Sequence, residues 1–142
     1  MTNKKRFNVL GVPQGKGRPR FMKNGHTYTP ERTSAYENEV RTAYKMQCDS
    51  TLLEGAIHAQ ITAYFPIPKS TTKAWMDVLK TEKARHIKRP DADNVAKIIC
   101  DALNEIAFKD DSNIADLVVR KRYSALPRVE VILTEVHGIS ET

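Results

Sequence analysis

The sequence predicts an α+β domain: a mixed β-sheet of about four strands with helices packed on one face. Three observations point there. Residues 57–63 alternate apolar and other side chains with period two, the mark of a half-buried strand. Residues 93–106 carry apolar side chains at helical spacing. Two further strand-like runs, 114–124 and 128–136, close the chain. The order strand, helix, strand, excursion, helix, strand, strand buries both apolar sets if the helices cover one face of the sheet. A length of 142 residues suits a single domain over 1–142, large enough to bury its own core.

Each element has a local reason. The run Arg6-Phe7-Asn8-Val9-Leu10-Gly11-Val12 predicts a first strand. Residues 13–29 follow as a loop rich in Gly, Lys, Arg and Pro. Pro30 suits the first turn of a helix, with Thr29 as its cap. That helix spans 31–47, with Tyr36, Val40, Ala43 and Tyr44 on its apolar side. Gly55 opens the strand that turns Ile57, Ala59, Ile61 and Ala63 inward and ends near Phe65-Pro66. Residues 67–90 form a basic excursion, with a short helix over 74–83. Its Lys73, Lys80, Lys83, Arg85, Lys88 and Arg89 read equally as a solvated face or a DNA contact. From Asp93 to Ile106 the stripe Val95, Ile98, Ile99, Ala102, Leu103, Ile106 defines the clearest helix. The last two strands, joined around Leu126-Pro127, predict an antiparallel hairpin.

Charge narrows the function. The formal net charge is +6, but residues 91–116 hold seven acids and two bases. A basic chain with one acidic block suggests an anionic polymer as partner. No stretch reaches the ~20 apolar residues of a membrane span. The basic start Lys4-Lys5-Arg6 lacks the apolar run of a signal peptide, which predicts a soluble cytoplasmic protein without membrane partners. Cys48 and Cys100 are expected to be reduced, buried thiols. His26, His58, His86 and His137 lack zinc spacing. The loop Gly15-Lys16-Gly17-Arg18-Pro19-Arg20 does not match a nucleotide-binding P-loop, so no nucleotide cofactor is expected. A flexible loop gripping backbone phosphates through Lys16, Arg18 and Arg20 is the better reading, against a merely solvated loop.

The chemistry concentrates in Asp91-Ala92-Asp93-Asn94-Val95-Ala96-Lys97 and in Asp110-Asp111. Asp93 and Lys97 share a helix face at i,i+4, and a short loop can return the second acidic pair toward the first. Carboxylates beside a lysine suit a magnesium site that handles a phosphodiester. The bland alternatives are a capping aspartate, an ordinary i,i+4 ion pair and a polar turn.

These motifs, in this order and spacing, resemble the RusA-like endodeoxyribonucleases, Holliday junction resolvases often carried by prophages. The resemblance runs from about Phe7 to Val136 and includes Asp101-Ala102-Leu103-Asn104. It implies Asp91, Asp93 and Asp111 as catalytic, metal-binding carboxylates and Lys97 as the essential lysine, with Asp110 ranked below Asp111. It implies magnesium, or manganese, as cofactor. It also implies a homodimer that places one site at each of two opposed strands of a four-way DNA junction. Excursion 67–90 departs from the shorter members, so a preferred cut sequence does not transfer. The expected function is resolution of four-way junctions by paired magnesium-dependent nicks in recombination and repair. The alternatives are an inactive nucleic-acid-binding module and a metal-dependent nuclease acting on other branched, linear or small substrates. The candidate dimer surfaces are the apolar side of 31–47 and the edge of the C-terminal hairpin.

Overall fold

The computed structural model describes residues 3–17, 20–25, 27–28 and 30–137. Along the chain come β1 (Lys4–Leu10), β2 (Arg20–Phe21), β3 (Thr27–Tyr28), α1 (Glu31–Gln47), β4 (Ile57–Pro66), α2 (Lys73–Leu79) and α3 (Ala92–Leu103). A 3-10 turn (Asp111–Asn113), β5 (Ile114–Ser124) and β6 (Arg128–Glu135) follow. The main sheet has the order β1-β6-β4-β5, and β2 pairs with β3 in a separate ribbon. The cap expected at Thr29 lies outside the described residues.

The sheet is mixed because β4 has neighbours of both kinds. It pairs antiparallel with β6 and parallel with β5. Here the structure corrects the expected hairpin: β5 and β6 flank β4 instead of pairing with each other. The short connection after Ser124 therefore steps across β4. It is locked there by Arg128, whose guanidinium donates to Glu82, Glu130 and the Leu126 carbonyl and lies 4.1 Å above the Tyr64 ring.

Alternation assigns the faces. Phe7 and Val9 of β1, Val129, Val131 and Leu133 of β6, and Ile57, Ala59, Ile61, Ala63 and Phe65 of β4 all point into one core. Against that face pack Tyr36, Val40 and Tyr44 of α1 and Val95, Ile98, Ile99, Ala102 and Leu103 of α3, each at most 5% exposed. Emptying one such site, as in Ile98→Ala, costs about 2–5 kcal/mol. Phe7 meets Tyr44 edge-on at 5.3 Å. Lys5 shares the inward register of β1 and is buried, so its ammonium pairs with Asp49 at 2.9 Å and also donates to the Thr51 carbonyl. Cys48 and Cys100 are unpaired thiols, as expected, but half-buried rather than buried. No helix among the described residues is long and apolar enough to cross a membrane.

Candidate active site

Helix α3 positions the chemistry because its apolar stripe fixes its rotation. With Val95, Ala96, Ile98, Ile99, Ala102 and Leu103 buried, Asp93 and Lys97 are left exposed. Asp91 is the residue that caps the helix N-terminus, yet its side chain makes no capping hydrogen bond. The bland explanation for this aspartate therefore fails: its carboxylate is not spent on the helix.

Two cavities meet at Asp93. A groove of about 790 Å³ is lined by Gln14, Gly15, Lys16, Arg89, Asp91, Asp93 and Asn94. A second, of about 320 Å³, runs along α3 and is lined by Asp93, Lys97, Cys100, Asp101, Asp111 and Leu117. Asp111 enters it from the far end. Its backbone N–H donates to Asn104 Oδ1 at 3.0 Å, so the turn is tied to the C-terminal end of α3. At ~1.5 Å rise per residue, Asp93 and Asn104 stand about 16 Å apart along the helix axis. The turn is tied to the end of the helix, and Asp111 and Asp93 line one cavity along it. Among the described residues no three carboxylates, thiols or imidazoles converge on a single ion position. Asp110 serves locally: its Oδ2 accepts from the Ser112 N–H at 2.9 Å, which holds its carboxyl below the usual range.

The donor set fits a hard divalent cation. Magnesium takes one or two carboxylates and completes its shell with water and phosphate oxygens. Asp91 and Asp93 supply two side by side in the groove. Among the described residues neither, nor Asp111, forms an ion pair. Cys100 offers no soft alternative. Burial, reinforced by the Asp101 and Asp111 charges, pushes its thiol up to about 11.

Lys97 points forward to Asp101 at 3.7 Å, rather than back to Asp93. Asp101 also receives Lys16 at 3.1 Å, and Lys16 lies 2.7 Å from Glu37. Burial alone would lower the Lys16 pKa; the bonds to Glu37 and Asp101 outweigh it and hold it above its ordinary value. This differs from the expected phosphate contact, because two carboxylates already neutralise the ammonium and its side chain is 18% exposed. The turn at 15–17 is tied down at two points. Lys16 N–H donates to the Asn94 carbonyl and Gly17 N–H to Thr33 Oγ1. A Cβ at Gly15 would sit 2.6 Å from Pro90 Cβ, and one at Gly17 2.6 Å from Thr33 Oγ1. The two glycines let the turn lie down between the starts of α1 and α3. Arg18 and the Arg20 side chain lie outside the described residues. Sequence reasoning missed the joint role of Lys16, Glu37 and Asp101. The i,i+4 spacing of Lys97 and Asp101 was its one readable sign.

Residues 11–134 match the family described as Endodeoxyribonuclease RusA, a span that holds Gly15-Lys16-Gly17, Asp91 to Lys97, Asn104 and Asp111. Uncharacterized protein YqaN of Bacillus subtilis (strain 168) is 37% identical over 136 residues, covering 92% of this chain and 96% of its own. The chain belongs to the RusA endodeoxyribonuclease family.

Proposed function

We propose that this chain is a magnesium-dependent endonuclease that resolves four-way DNA junctions in recombination and repair. The observation that carries the reading is the pair Asp91 and Asp93 in one groove, neither in an ion pair among the described residues and Asp91 without a capping bond, with Lys97 in the adjoining cavity. Asp91 and Asp93 hold the ion, for which manganese can substitute, and Asp111 is the third carboxylate of the set. When bound, such an ion lowers the pKa of a water and stabilises the leaving oxygen of a phosphodiester. Lys97, its side chain 61% exposed and flanked by Asp101, offers its ammonium to a non-bridging phosphate oxygen as negative charge grows there. Asp101 keeps that ammonium over the cavity, and Lys16 keeps Asp101 in place. Arg18 and Arg20 grip the DNA backbone.

The test is a labelled four-way junction and a linear duplex incubated with magnesium or with chelator. Magnesium-dependent cutting of the junction in preference to the duplex is expected. Asp91→Asn, Asp93→Asn and Asp111→Asn should each lower cleavage by at least ~100-fold while binding holds or improves, since a repelling charge is removed. Wild-type rates in Asp93→Asn would sink the assignment. Wild-type rates in Asp111→Asn alone would confine the site to Asp91 and Asp93. Binding without magnesium-dependent cutting would favour an inactive DNA-binding module.

A further inference from the structure

Excursion 67–90 is fastened to the fold at several points. Leu79 is 1% exposed. Glu82 receives the Arg128 guanidinium at 3.0 Å and the Ser124 hydroxyl. The buried His86 ring lies flat on Phe65, with centroids 3.8 Å apart and planes 10° apart. The His86 backbone N–H donates to the Lys121 carbonyl at 3.1 Å, and the Lys121 ammonium donates to the Lys88 carbonyl at 2.5 Å. Arg85 pairs antiparallel with Arg122 in a single β-bridge. Residues 85–88 are therefore laid along the outer edge of β5.

What this segment presents is charge without counter-charge. Arg85, Lys88 and Arg89 are exposed, and among the described residues none of them pairs with a carboxylate. Among the described residues Lys5, Lys16, Lys97 and Arg128 have acidic partners, whereas Arg85 and Lys88 lie against Arg122 and Lys121 of β5, which have none. Setting Arg85 beside Arg122 costs Coulomb energy that the fold does not offset internally. A bound polyanion would offset it. The row of cations ends at Arg89, which lines the same groove as Asp91 and Asp93.

We propose that residues 85–89 form a rigid basic rail that grips backbone phosphates of a junction arm and feeds the strand into the groove at Asp91 and Asp93, with His86 as the positioning residue that pins the rail to the sheet. The proposal rests on DNA being the substrate. It separates the work of the two basic regions: the turn at 15–17 braces the site, and the rail holds the substrate.

The experiment is junction binding in chelator across a salt series, with thermal melts as a check on folding. In the Arg85→Ala, Lys88→Ala, Arg89→Ala triple variant, each lost duplex-phosphate contact removes about 0.9 from the salt slope, so a slope flatter by about three units is expected, with at least ~10-fold weaker binding. His86→Ala keeps all three charges but frees the rail. It should weaken junction binding and speed tryptic cleavage after Arg85 and Lys88. A triple variant with the wild-type slope and affinity, in a protein that cuts junctions, overturns the rail alone. A wild-type protein without salt-dependent DNA affinity overturns both the rail and the nuclease reading.

Discussion

At the scale of single residues, the decisive distinction is between carboxylates that are spent and carboxylates that are free. Asp110 caps a turn, Glu37 and Asp101 hold Lys16, and among the described residues Asp91, Asp93 and Asp111 form no ion pair. The spacing of Asp91, Asp93 and Lys97 was legible because a helix converts sequence intervals into faces. The Lys16–Glu37–Asp101 cluster was not, because it joins three elements whose proximity only the packed fold creates. Lys16→Met tests which kind of lysine this is. It keeps the aliphatic stem but removes the cation that Glu37 and Asp101 share, leaving Asp101 only the more exposed Lys97 at 3.7 Å. Loss of a partly buried charge-assisted pair costs about 2–3 kcal/mol, so the urea midpoint should fall. The salt slope of DNA binding should stay at its wild-type value. Unchanged stability together with a flatter slope would return Lys16 to the DNA surface.

At the scale of elements, periodicity was a sound guide to helices and a poor one to strand partners. The limits of α1 and β5 agree with the sequence reading, and those of β6 nearly so. The hairpin was misread because two alternating strands around Leu126-Pro127 carry the local marks of one. The partner of each strand is set by burial across the whole sheet, and β4 offered both of its edges. The docking of the excursion was equally hidden, since nothing in the sequence marks His86 as its pin. That pin has a pH signature. Burial, with Lys121 and Lys88 nearby, lowers the His86 pKa from 6.5 to about 4. Between those values the unfolded chain takes up a proton that the folded one refuses, so stability is full above the upper value and falls as pH drops through the window. His86→Phe keeps the ring on Phe65 and removes the titration. Its thermal midpoint should drop less than that of the wild type between about pH 7.5 and about pH 5. Equal drops in the two proteins would place the acid sensitivity elsewhere.

At the scale of the whole molecule, one chain supplies one groove with Asp91 and Asp93, while a four-way junction has near two-fold symmetry and needs cuts in two opposed strands. A symmetric pair of chains places two equivalent sites at a fixed separation by using one surface patch twice. The structure narrows where that patch can be. The apolar side of α1 is consumed by the core, with Tyr36, Val40 and Tyr44 buried. β6 is interior to the sheet, so the free edges belong to β1 and β5. The rail covers β5 near Lys121 and Arg122 but not near Leu117, an apolar side chain 49% exposed that lines the cavity of Asp93 and Lys97. Light scattering at working concentration should give twice the 16.1 kDa of one chain. On a junction held in a supercoiled cruciform, strand mapping should find nicks paired across the branch point. Mixing wild-type chains with excess Asp93→Asn chains should leave dimers with one live site and convert paired nicks into single ones. A monomeric mass, or a single nick as the final product of the wild-type enzyme, would rule out paired resolution while leaving the nuclease chemistry of each groove intact.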